Sequence, residues 1–69
     1  MHSRQYEITV RGRLSDTLTG AFDGLCASPT AGGTVIRGAI PDQAALFGVL
    51  ERIDALGLEL LEVRSVPAP

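Results

Sequence analysis

Apolar and polar residues alternate from Tyr6 to Arg13: Tyr6, Ile8 and Val10 on one side, Glu7, Thr9, Arg11 and Arg13 on the other. Period-two alternation of this kind predicts a strand with one buried face. Leu14, Leu18, Ala21, Phe22 and Leu25 then recur at helical spacing, which predicts a helix over Ser15 to Leu25. Ser15 is its natural N-cap, and Asp16 suits the positive end of the helix dipole. Gly20 and Gly24 lower the propensity of this stretch by up to ~1 kcal/mol each relative to Ala. Leu25 to Ser28 can form a short strand, and Pro29 would place it at a sheet edge.

The clearest pattern runs from Thr34 to Val66. Thr34 to Ile40 reads as a strand in which Thr34, Ile36, Gly38 and Ile40 face the core and Val35, Arg37 and Ala39 face away, because the opposite parity would bury Arg37. Pro41 stops the strand and Asp42 caps a helix from Gln43 to Leu56. Its apolar stripe is Leu46, Val49, Leu50, Ile53 and Leu56, with Phe47 at the stripe's margin. Gly57 can adopt the left-handed conformation that ends a helix. Leu58 to Val66 returns as a last strand with Leu61 and Val63 inward and Leu60, Glu62 and Arg64 outward. Residues 1–5 and 67–69 are expected to be flexible ends of a single domain spanning 1–69.

Strand, helix, strand, strand, helix, strand is the βαββαβ order of the ferredoxin-like split βαβ fold. The expected class is therefore α+β: a four-stranded antiparallel sheet, first and third strands central, with two helices on one face. The uncovered face would carry Thr9, Arg11, Val35, Arg37, Ala39, Leu60, Glu62 and Arg64, together with Glu7 and Arg13. This mixed apolar and charged set is the expected interface of a homo-oligomer, a dimer first. Three arginines in it, Arg11, Arg37 and Arg64, also raise an anion pocket, but neighbouring acids compete for them.

Composition favours association and argues against several activities. A chain of 69 residues sits near the lower limit for a single core, where disulfides, metals or a second copy often help. Cys26 is the only cysteine, so no internal bridge can form, and one His with one Cys does not make a structural zinc site. No cofactor or metal is expected. The formal charge of −2 opposes nucleic-acid binding. The outward positions of the central strands also lack the aromatics on which RNA-binding sheets of this strand order stack bases. No apolar run approaches a membrane span or a signal-peptide core, so the expected location is the cytoplasm. Gly32-Gly33 precedes a strand and is a turn rather than a phosphate loop. Cys26 has no His or second Cys placed to activate it, and no catalytic residue stands out. All six basic residues are Arg, with neither Lys nor Asn present, a bias expected of a GC-rich genome.

Three segments carry a resemblance: Tyr6 to Gly12, Arg37 to Leu46 and Leu56 to Leu60. They make the chain similar to a group of short uncharacterised actinobacterial proteins, over nearly its whole length from Tyr6 to Val66. That likeness implies a GC-rich actinobacterial origin and transfers no activity and no catalytic residues. A looser likeness is to ACT-type regulatory domains, which share the strand order and bind amino acids between subunits. Their first strand-to-helix turn has an acidic residue and Pro-Gly, where this chain has Gly12-Arg13-Leu14-Ser15-Asp16. Dimeric α+β barrel enzymes are similar in outline, but no acid–base pair is visible here. The leading expectation is a non-catalytic module that self-associates through the open sheet face. The alternative is a small-molecule-binding domain with a pocket between subunits.

Overall fold

A computed structural model of the chain describes residues 4–14, 22 and 24–66. Its elements are β1 (Arg4–Arg11), β2 (Cys26–Pro29), β3 (Gly33–Ile40), α1 (Gln43–Ala55) and β4 (Leu60–Val66). The strands form one antiparallel sheet in the order β2-β3-β1-β4, so β1 and β3 are central and β2 and β4 are edges. β1 and β3 pair without interruption from Arg4–Ile40 to Arg11–Gly33. The pairing starts two residues earlier than the alternation indicates: Arg4 and Gln5 belong to the strand, and Gln5 lies between Ala39 and Val66. β2 is the edge strand that Pro29 requires, since proline contributes no donor to a ladder.

The two-helix βαββαβ ferredoxin-like arrangement is corrected by this structure, which shows four antiparallel strands and one helix among the described residues. The class remains α+β. The helix expected over Ser15 to Leu25 falls mostly on residues 15–21 and 23, which lie outside the described residues, as do 1–3 and 67–69 at the ends. At the described end of that segment the chain turns. The Leu25 N–H donates to the Phe22 carbonyl at 3.1 Å, around Gly24 at φ 79°. A glycine in the left-handed region breaks right-handed helical geometry, so Leu25 stands outside a helix and leads directly into β2.

The helix α1 is closed at both ends by its own sequence. Asp42 has an extended backbone, and its Oδ1 accepts the Ala45 N–H at 2.8 Å, satisfying one of the free donors of the first turn. At the other end Gly57 takes φ 75°. Its N–H bonds the Asp54 carbonyl at 3.0 Å and the Leu58 N–H bonds the Ile53 carbonyl at 3.1 Å. Those two bonds make a Schellman motif, which uses the carbonyls a helix end would otherwise leave open. Ile53 is the fully buried residue of the helix, while Leu46, Val49, Leu50 and Leu56 are half-buried around it.

Ile53 completes a core made with Ile8, Val10, Phe22, Ile36 and Ile40. The register explains the membership. Ile8 pairs with Ile36 and Val10 with Thr34, so every second residue of β1 and β3 enters the same layer. Thr34 is buried too, and its hydroxyl donates to the Gly12 carbonyl at 2.8 Å. A buried hydroxyl is thereby satisfied and the turn after β1 is tied to β3. Gly33 admits no side chain, because a Cβ there would run into the Val10 carbonyl of the neighbouring strand.

Ile53→Ala is expected to cost ~2–5 kcal/mol, the range for a large-to-small change in a core. A domain of this size has a total of only ~3–10 kcal/mol, so urea titration followed by circular dichroism reads the loss as a large fall in midpoint. Gly33→Ala is expected to lower the midpoint as well, by forcing β1 and β3 apart. An unchanged midpoint for Gly33→Ala would contradict the tight approach at that position.

Candidate functional site

Cross-strand register sorts the uncovered face into rows. One row runs Cys26, Arg37, Glu7, Arg64 across β2, β3, β1 and β4, and the next runs Ser28, Val35, Thr9, Glu62. Ala39, Gln5 and Val66 form a third. The structure thus places Thr9, Val35, Arg37, Ala39, Glu62 and Arg64 on one face, as the alternation predicts. Arg11 stands at the end of β1 on this face and Arg13 lies exposed beyond it.

The face is predominantly polar. Arg37 Nη2 lies 3.6 Å from Glu7 Oε2, and Arg11 Nε lies 3.1 Å from Glu59 Oε1. The Arg11–Glu59 pair is exposed and the Arg37–Glu7 pair joins an exposed arginine to a half-buried glutamate, so each contributes ~0.2–1 kcal/mol at most. Arg64 stands directly across from Glu7 on the other side, so Glu7 is flanked in register by two arginines. With Arg11 and Arg37 engaged by Glu59 and Glu7, the three arginines do not converge on one anion pocket. Cys26 is exposed at the β2 edge, across from Arg37.

Leu60 departs from the expected parity. The β1–β4 ladder shifts between Thr9 and Val10, so that Glu62 faces Thr9 while Leu60 faces Val10. That extra residue is a β-bulge, which bends an edge strand and redirects a side chain. Leu60 is consequently in register with a core-face residue and not with the open face. The adjacent apolar pair Leu60-Leu61 was the visible signal, since two leucines in succession do not fit a strict alternation.

The exposed apolar surface collects along β4. Across one core-face row, Ile36 and Ile8 are each 1% exposed, but Val63, the next residue in that row, is 37% exposed. Leu60 and Leu61 are exposed beside it. Helix α1 lies nearest β3, and the cover it gives the sheet runs out before the β4 edge. Phe47, at the margin of the helical stripe, is also exposed and so does not finish the core. It borders an open cleft of about 350 Å³ between the start of α1 and the start of β1, with Arg4, Tyr6, Ile40 and Leu46 among its walls.

Charged groups outside this surface have local roles: Asp42 caps α1 and Glu59 pairs with Arg11. Among the described residues no group of three or more His, Cys, Asp or Glu side chains comes together in a metal-binding cluster. No described helix is long and apolar enough to cross a membrane.

Comparison with known proteins finds no match among curated proteins or solved structures. A family model described as a domain of unknown function (DUF8691) matches residues 5–64, which takes in all of β2, β3 and α1 and most of β1 and β4. The chain belongs to that family of domains of unknown function.

Proposed function

We propose that this domain is a non-catalytic interaction module that works by self-association, with β4 as its adhesive edge. The observation that carries this reading is the exposure step along the Ile36–Ile8–Val63 row. A layer that is dry through two central strands opens to solvent at the third, flanked by Leu60 and Leu61. An uncovered apolar edge strand is a ready template for another chain unless the sequence blunts it with Pro, Lys or an inward charge. β2 is blunted in this way, being four residues long and ending in Pro29. β4 is seven residues, LLEVRSV, without proline or lysine, and its bulge is confined to the Leu60–Leu61 end, so that Glu62 to Val66 stays in regular register. A homo-oligomer is the assembly most consistent with a small core and no internal disulfide.

A face-to-face arrangement through Thr9, Arg11, Val35, Arg37 and Ala39 is the competing geometry for the same function. Its apolar content is low, which favours the β4 edge. A small-molecule site is the second reading, favoured by the cleft beside exposed Phe47, where Arg4 would meet an acidic group on an amino-acid-like ligand. A thermal-shift panel of small organic acids tests it, with Phe47→Ala removing any shift observed.

Sedimentation velocity across the micromolar range is expected to show a dimer in equilibrium with monomer. Val63→Asp is expected to leave only monomer, with the far-ultraviolet circular dichroism of the parent chain. Val35→Asp is expected to leave the dimer in place. Loss of association with Val35→Asp but not with Val63→Asp would move the interface to the open face. A chain that stays monomeric throughout that range contradicts self-association itself.

A further inference from the structure

Building on the self-association reading, we infer that the partner is a second copy docked antiparallel along β4, with the two-fold axis passing through Val63. The argument begins with the backbone. β1 is regular along its whole pairing with β3, so its N–H and C=O groups alternate strictly between its two neighbours. The Arg11 N–H points toward β4, where it donates to the Glu59 carbonyl at 2.9 Å. Thr9, Glu7 and Gln5 therefore point toward β4 as well, and their partners Glu62, Arg64 and Val66 point back. The N–H and C=O groups of Val63 and Ser65 are left directed at the free edge. They are the groups that a further strand would use.

Charge then selects the register. On the open face the central row reads Arg37, Glu7, Arg64, positive, negative, positive across β3, β1 and β4. With the axis at Val63, the residue that follows Arg64 in this row is Glu62 of the second copy. Symmetry places Arg64 of that copy across from the first Glu62. The alternation of charge continues through the interface without a break, and opposite charges facing each other across strands are favourable. The neighbouring registers with the same face orientation put the axis at Glu62 or Arg64 and bring like charges directly opposite each other. A parallel, in-register pairing does the same at both positions. On the other face the Val63 register brings the two half-exposed Val63 side chains together and sets Leu61 across from Ser65. The exposed end of the Ile36–Ile8–Val63 row is thereby covered by its own symmetry mate.

The sequence of β4 is self-complementary, Glu62-Val63-Arg64 reading as its own antiparallel partner. The result is one continuous eight-stranded sheet with the two β4 strands at its centre. An isologous contact of this type closes at the dimer and leaves only the short, proline-bearing β2 strands as edges.

Charge exchange tests the register directly, in the full chain and at fixed, low ionic strength. Glu62→Arg alone sets arginine across from Arg64, and Arg64→Glu alone sets glutamate across from Glu62. Each single variant is expected to weaken the dimer at least tenfold by sedimentation. An equimolar mixture of the two restores opposite charges at both contacts and is expected to form a heterodimer of near-parental affinity. A second measurement does not depend on those variants. Val63→Cys in a Cys26→Ser background is expected to form an intermolecular disulfide under mild oxidation, because a hydrogen-bonded antiparallel pair holds its Cα atoms about 5.5 Å apart. Ser65→Cys in the same background places its thiols across from Leu61 and is expected to stay unlinked. A dimer that ignores both charge reversals and links through Ser65→Cys overturns this register while leaving self-association intact. A monomer at every concentration overturns both.

Discussion

Everything in this fold depends on one sandwich of isoleucines: Ile8 and Ile36, paired across the two central strands, with Ile53 of the helix buried in the same cluster. Among the described residues the fold buries six apolar side chains, four of them isoleucines, and each buried isoleucine contributes ~1.5–3 kcal/mol of transfer free energy. The need to bring Ile53 to the sheet fixes the path of the helix. Asp42 and Gly57 serve that need, because a helix with defined ends presents Ile53 at a defined height above Ile8 and Ile36. Thr34 has a similar part, tying the Gly12 turn to β3 so that the β1–β3 register does not slip.

The same economy exposes the β4 edge. One described helix on a four-stranded sheet covers the layer where Ile8 and Ile36 lie and leaves Val63 half open. Edge strands of monomeric domains commonly carry inward charges or a proline; β4 instead presents two leucines, two valines, a serine and one acid–base pair. The polar open face tells a different story. Its Arg37–Glu7 pair and the Arg64 beside it are weakly stabilising, so they are better suited to choosing a partner's alignment than to driving association.

Much of this architecture is legible in the residues themselves. The alternation of Tyr6, Ile8 and Val10, the inward parity of Thr34, Ile36 and Ile40, and the cap pair Asp42 and Gly57 each specify an element by a local rule, and each element is found. Pro29 likewise predicts an edge, and β2 is one. Two features escape such rules. The end of the helix expected over Ser15 to Leu25 is one: apolar spacing carries it through Leu25, yet the described end turns at Gly24, where backbone conformation overrides spacing. A strict alternation extended through Leu60-Leu61 puts Leu60 on the open face, and the bulge breaks that alternation. The exposure of the β4 edge escapes them for a related reason. A residue such as Val63 has inward parity in either case, and only the position of the helix above the sheet decides whether inward means buried.

The central claim is that the free edge of β4 is a strand-pairing surface for a second copy. Amide hydrogen exchange measured as a function of protein concentration tests it most directly. Ile8 and Ile36 are protected by the fold of the single chain at every concentration. The Val63 and Ser65 N–H groups, directed at the free edge, are expected to start unprotected at the lowest concentration and to gain protection as the dimer forms. Val63 and Ser65 amides that exchange at unprotected rates from the lowest to the highest concentration would contradict the account.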